Sequence, residues 1–164
     1  MGLPDEKVFS VINRLWEIDI PVESVWHVSP DNEDGLLARD ELLGLDEVHA
    51  NEKLISSGSS YSEWLEFLPK QPFQYYLKVL LKYLLSDRSK NDFGISSSLF
   101  SFLPRKIKKC PECFEGIEDA LSGVLFEIAR KQRFYDADKD LFGDFSEHAM
   151  EISSLLKSQD NRER

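Results

Sequence analysis

An all-α, single-domain bundle of about five to seven irregularly packed helices is what this sequence predicts, with residues 72–85 as a central hydrophobic helix. Three observations lead there. Apolar residues recur at spacings of three and four along most of the chain, which is the period of a helix with one buried face. Prolines and clusters of Ser, Asp, Asn and Gly fall between those runs, where helices must start or stop. Finally, 164 residues with 41% apolar and 12% aromatic content supply one ordinary core and no second one.

Taken in order, Pro4 with Asp5 and Glu6 opens a helix whose inner face is Val8, Phe9, Ile12, Leu15 and Trp16, ending near Asp19 before Pro21. Val22 to Val28 alternates enough for a short strand. With no convincing second strand to pair with, a helical turn or extended linker is expected instead. After an acidic turn from Pro30 to Gly35, the residues Leu36, Leu37, Leu42, Leu43, Leu45 and Val48 read as one amphipathic helix interrupted by Gly44. Ser56 to Ser60 is a polar loop, and Ser60 or Ser62 caps a short helix carrying Trp64, Leu65, Phe67 and Leu68, which Pro69 stops.

Pro72 begins the next helix, and up to Leu85 its apolar residues surround the axis, the pattern of a helix buried at the centre of its domain. Ser86 to Ser98 reads as a loop, being rich in Ser, Asp, Asn and Gly. Ile117, Leu121, Val124, Leu125 and Ile128 form the cleanest helical stripe in the chain. A last helix, Phe145 to Leu156, turns Ala149, Ile152 and Leu156 inward, so that residues 1–157 make the domain and 158–164 a frayed tail. The longest apolar-leaning run, Tyr75 to Leu85, is about half of what a bilayer crossing needs and carries Lys78 and Lys82, so no membrane partner is expected. The opening residues Met1 to Glu6 have neither a basic stretch nor an apolar core, no secretory signal is read there, and a reducing, cytoplasmic setting is expected.

Charge is distributed unevenly. Residues 1–70 hold 15 Asp and Glu against 5 Lys and Arg, while residues 71–164 hold 15 against 15, so the net charge of −10 belongs to the first part. A field of that sign repels nucleic acid and anionic membrane and draws in basic proteins. Within it, Asp31, Glu33, Asp34, Asp40, Glu41, Asp46 and Glu47, flanked by Trp26, form an acidic segment interleaved with leucines. Between Glu17 and Glu52 only Arg39 interrupts the acids. Such a run is an ordinary solvated helix face in most proteins, but an unbalanced one costs self-repulsion unless a partner neutralises it.

Two other constellations bear chemistry. Cys110-Pro-Glu-Cys113, preceded by Arg105, Lys106, Lys108 and Lys109, has the knuckle spacing of a zinc ribbon and the spacing of a dithiol centre. With half the zinc ligands missing and no sheet before it, two reduced cysteines at the first turn of a helix are expected. Asp136, Asp138, Asp140, Asp144 and Glu147 resemble an EF-hand calcium loop over twelve residues, but Leu141 stands where the loop requires Gly and Gly143 where it requires a branched apolar residue. A weaker echo runs from Asn32 to Glu41. Asp46 with His49 and Asp144 with His148 place an acid and an imidazole on one helical face, the geometry of a surface ion pair as well as of a base. No phosphate-binding glycine loop or nucleophile-base motif occurs, so no catalytic residue, cofactor, metal or small-molecule substrate is expected.

In general character, being small, helical, acidic and without catalytic groups, the chain resembles the immunity proteins and antitoxins that neutralise basic nucleases. That resemblance implies a stoichiometric inhibitor of a basic protein partner, which the acidic segment would steer and exposed aromatics such as Trp26 and Trp64 would anchor. A divalent-cation-binding protein using residues 136–147, or an adaptor subunit of a larger complex, are the alternatives.

Overall fold

The computed structural model describes residues 11–161. Eight α-helices lie wholly within the described residues: α1 Glu33–Leu42, α2 Glu47–Ser57, α3 Ser60–Glu66, α4 Lys70–Leu85, α5 Phe93–Lys109, α6 Glu118–Arg130, α7 Lys139–Phe142 and α8 Phe145–Asp160. Short 3-10 turns, Glu23–Val25, Asp87–Ser89 and Pro111–Phe114, punctuate them, and no strand occurs among the described residues. The all-α bundle is therefore as expected, with α7 a single turn. Of the first expected helix, residues 11–13 are helical; Pro4, Asp5, Glu6, Val8 and Phe9 lie outside the described residues.

The central helix is α4. Twelve of its sixteen residues are buried, from Pro72 to Leu85, and elements that precede and follow it in the chain pack around it. A helix buried on nearly every side raises a question of polarity, because three tyrosines and a glutamine go inside with it. Tyr76, Tyr83 and Gln74 each find a carbonyl or carboxylate. The Tyr76 hydroxyl donates to Leu42 O (2.7 Å) and Leu45 O (2.8 Å), satisfying carbonyls at the end of α1. Tyr83 donates to Asp92 (2.6 Å), and Gln74 Nε2 donates to Cys113 O (2.9 Å) and Glu115 O (3.2 Å). Burial pushes the phenol of Tyr76 well above its usual range.

Two lysines serve the same end from outside. Lys106, 4% exposed, donates to Glu66 O (3.0 Å) and Leu68 O (2.7 Å) at the C-terminal end of α3, over the ring of Phe73. Lys131 donates to Leu84 O (2.7 Å) at the end of α4. Burial lowers each ammonium to about 8. No helix among the described residues is long and apolar enough to cross a membrane.

Several sequence expectations are corrected. The stretch from Leu36 to Val48 is two helices, because Gly44 adopts φ +81° and breaks the first before Asp46 caps the second. The loop expected from Ser86 to Ser98 holds a 3-10 turn and the first turns of α5, capped by Asp92, whose side chain accepts from Ile95 N (3.2 Å). Its serines satisfy their own helix: Ser96, Ser97 and Ser98 donate to the carbonyls of Phe93, Gly94 and Ile95. Cys110 and Cys113, expected reduced at a helix start, are joined in a disulfide at the junction of α5 and the Pro111–Phe114 turn, with Cα atoms 5.6 Å apart. The cysteines therefore no longer argue for a reducing setting.

Candidate functional site: the acidic face of the first helix

Helix α1 is built so that one side is locked and the other is free. Asn32 caps it, its side chain accepting from Gly35 N (2.9 Å). Gly35 has no alternative at this point, since a Cβ there would lie 2.7 Å from both Asn32 Nδ2 and Val28 Cγ1. Ala38 and Leu42, four residues apart, are fully buried against the core, and Tyr76 holds the helix end. The opposite face is therefore fixed towards solvent.

On that face stands Leu37, 51% exposed. Its neighbours one turn before are Glu33 and Asp34, and one turn after are Asp40 and Glu41, so four carboxylates surround one exposed leucine. The helix dipole accounts for Glu33 and Asp34, which occupy the first turn. It opposes Asp40 and Glu41, which sit at the negative end. Glu41 is compensated by an ion pair with Lys53 on α2. Asp40 has no ion pair among the described residues, and neither have Asp31, Glu33 and Asp34.

The remaining members of the expected site have internal work. Asp46 caps α2, accepting from His49 N (2.8 Å), and its carboxylate meets His49 Nδ1 at 2.6 Å. Those hydrogen bonds lower the Asp46 carboxyl, and the carboxylate in turn raises the imidazole of His49. Glu47 pairs with Lys82 of α4 (2.8 Å), and Arg39 with Glu23 (3.3 Å). Trp26 is not an exposed anchor: it is 3% exposed and packs on Tyr76 with ring centroids 5.8 Å apart. Trp64 is half-buried, with Lys53 over its ring. The exposed apolar groups at this end are instead Ile20, Val22, Leu37, Val48 and Ile55. Alternation within the acidic segment was the available signal for Leu37, since Ala38 and Leu42 fix the inward direction and Leu37 falls outside it.

Elsewhere, the carboxylates of 136–147 do not gather. Asp138 accepts from Asp140 N (2.8 Å) and Asp144 from Ser146 N (2.9 Å), each at a helix start, and Asp144 lies 3.6 Å from Lys139. No cluster of three metal-ligating side chains occurs among the described residues. His148 donates through Nε2 to Phe142 O (2.9 Å). It borders an open groove of about 570 Å³ between α5 and α7, lined by Ser97, Ser98, Ser101, Leu141 and Phe142. Compared with family models, curated proteins and solved structures, the chain matches none.

Proposed function

We propose that this protein is a non-catalytic binding protein that captures a basic protein partner on the acidic face of α1, as an inhibitor of the immunity-protein or antitoxin kind does with a basic nuclease. The observation that supports the reading is the setting of Leu37: a half-exposed apolar side chain on a rigid, core-anchored helix, ringed by carboxylates. An apolar centre with a charged rim is the composition of a protein interface, in which the centre supplies affinity and the rim supplies steering. Asp40 strengthens it. A carboxylate at the negative end of a helix, with no ion pair among the described residues, is unfavourable for its own helix, which supports a contribution outside the fold. A cytoplasmic placement is part of this proposal.

Affinity capture from the native host with wild-type and Asp34→Lys/Asp40→Lys baits tests it, followed by association kinetics of the recovered protein. The expected partner is basic. Its association rate falls steeply with ionic strength and drops by about tenfold or more for the double variant at low salt, while Leu37→Ala accelerates dissociation at a cost of about 1–2 kcal/mol. An acidic partner, or an association rate indifferent to salt, overturns the proposal.

A further inference from the structure

The Cys110–Cys113 disulfide closes a loop of two intervening residues, and a cross-link that short removes little conformational freedom from the unfolded chain. Stapling the fold is therefore a poor account of it. The two sulfurs also sit in unequal surroundings. Cys113 is fully buried, whereas Cys110 is half-buried at the end of α5, directly after the exposed Lys108 and Lys109. The C-terminal pole of α5 disfavours a thiolate at Cys110, and those two lysines oppose it.

The loop is held independently of the sulfur bridge. Gln74 of the central helix, 8% exposed, bonds the carbonyls on either side of Phe114, those of Cys113 and Glu115. Phe114 itself packs on Phe73 at 5.1 Å between ring centroids. With the backbone held in this way, the two Cα atoms lie 5.6 Å apart, a separation that suits the bridge. A site in which the bridge adds little, other contacts hold the backbone and one sulfur is reachable has the properties of an exchange centre.

We propose that Cys110 and Cys113 form a reversible dithiol–disulfide centre that exchanges with low-molecular-weight thiols and their disulfides, independently of the acidic face. A thiolate RS⁻ attacks Sγ of Cys110; the Cys110–Cys113 bond breaks, Cys113 leaves as thiolate and takes a proton from water, and a mixed disulfide Cys110–S–S–R remains. A second RS⁻ attacks the R sulfur and releases RSSR with Cys110 as thiolate, so two thiols are oxidised for one protein disulfide reduced. The reverse sequence reoxidises the pair.

The test equilibrates the full chain, without denaturant, in glutathione buffers running from fully reduced to fully oxidised, and counts free thiols by alkylation and mass. Oxidised glutathione is then added to Cys113→Ser and Cys110→Ser variants. Expected are a complete, reversible transition of the wild type within the series and a glutathione adduct on Cys110 forming at least about tenfold faster than on Cys113, which must wait for a local opening. A wild type that stays wholly oxidised or wholly reduced across the series overturns the proposal, as does equal or faster adduct formation on Cys113. Should either variant fail to fold, the wild-type transition decides alone.

Discussion

Asp46 and His49 show at the scale of single residues how an acidic segment divides into structural and available charges. Asp46 carries the N-cap of α2 and an imidazole contact, which sets a pH window for both. The carboxyl is lowered from 3.8, so its contribution is present above 3.8 and lost as pH falls through the lower folded value. The imidazole is raised from 6.5, so its contribution is complete below 6.5 and lost as pH rises through the higher folded value. Between those limits both act. NMR titration should therefore find His49 titrating above 6.5 in the native protein, with Asp46→Asn returning it towards the ordinary histidine range; an unchanged midpoint in the variant would show that another group raises it. None of this pairing is visible as a distance in the sequence, although the Asp-x-x-His spacing on one helical face announces it.

Helix boundaries at the scale of elements depended on glycine, serine and proline, whose effect is set by what surrounds them. Gly44 ends α1 in the left-handed region, and a Cβ there would meet nothing within 4 Å. Gly44→Ala is thus expected to cost about 1 kcal/mol through backbone strain alone, read as a lower urea midpoint with an unchanged slope. A larger loss, or a changed slope, would mean that the junction of α1 and α2 rearranges. Helix α5 was hidden by the opposite problem. Its serines read as loop residues, yet Ile95, Leu99, Leu103 and Ile107 keep a strict four-residue spacing and are all buried. Small side chains there let α3 approach, with Ser62 and Ser98 hydroxyls 2.7 Å apart. The stripe was legible; local composition outweighed it because serine competes for backbone hydrogen bonds as readily in loops as in this helix.

Charge at the scale of the whole molecule separates into acids that fold the protein and acids that do not. Glu41 pairs with Lys53, Asp46 caps α2 and Glu47 pairs with Lys82, so reversing these three removes contacts that hold α2 in place. Asp40 is different. Asp40→Lys places a cation at the C-terminal end of α1 and relieves repulsion with Glu41, so stability should rise by about 0.3–1 kcal/mol in urea unfolding at low salt. A loss of stability would show that Asp40 has a structural duty and would remove it from the proposed docking face. A gain, together with slower partner association, is the trade expected of a residue kept for binding.

The amino-acid order by itself determined the helical class and the identity of the central helix. It also determined the α6 and α8 stripes, because a 3.6-residue period and proline stops act over a few neighbouring positions. The tertiary structure alone decided that Trp26 is core, that Cys110 and Cys113 meet as a disulfide, and which carboxylates find an ion pair among the described residues. Those outcomes are relations between groups brought together by packing: Glu47 finds its cation 35 residues away on α4, and Trp26 finds its aromatic partner, Tyr76, on the same helix. Burial and charge compensation are properties of a neighbourhood in space, and for this chain the central helix creates that neighbourhood.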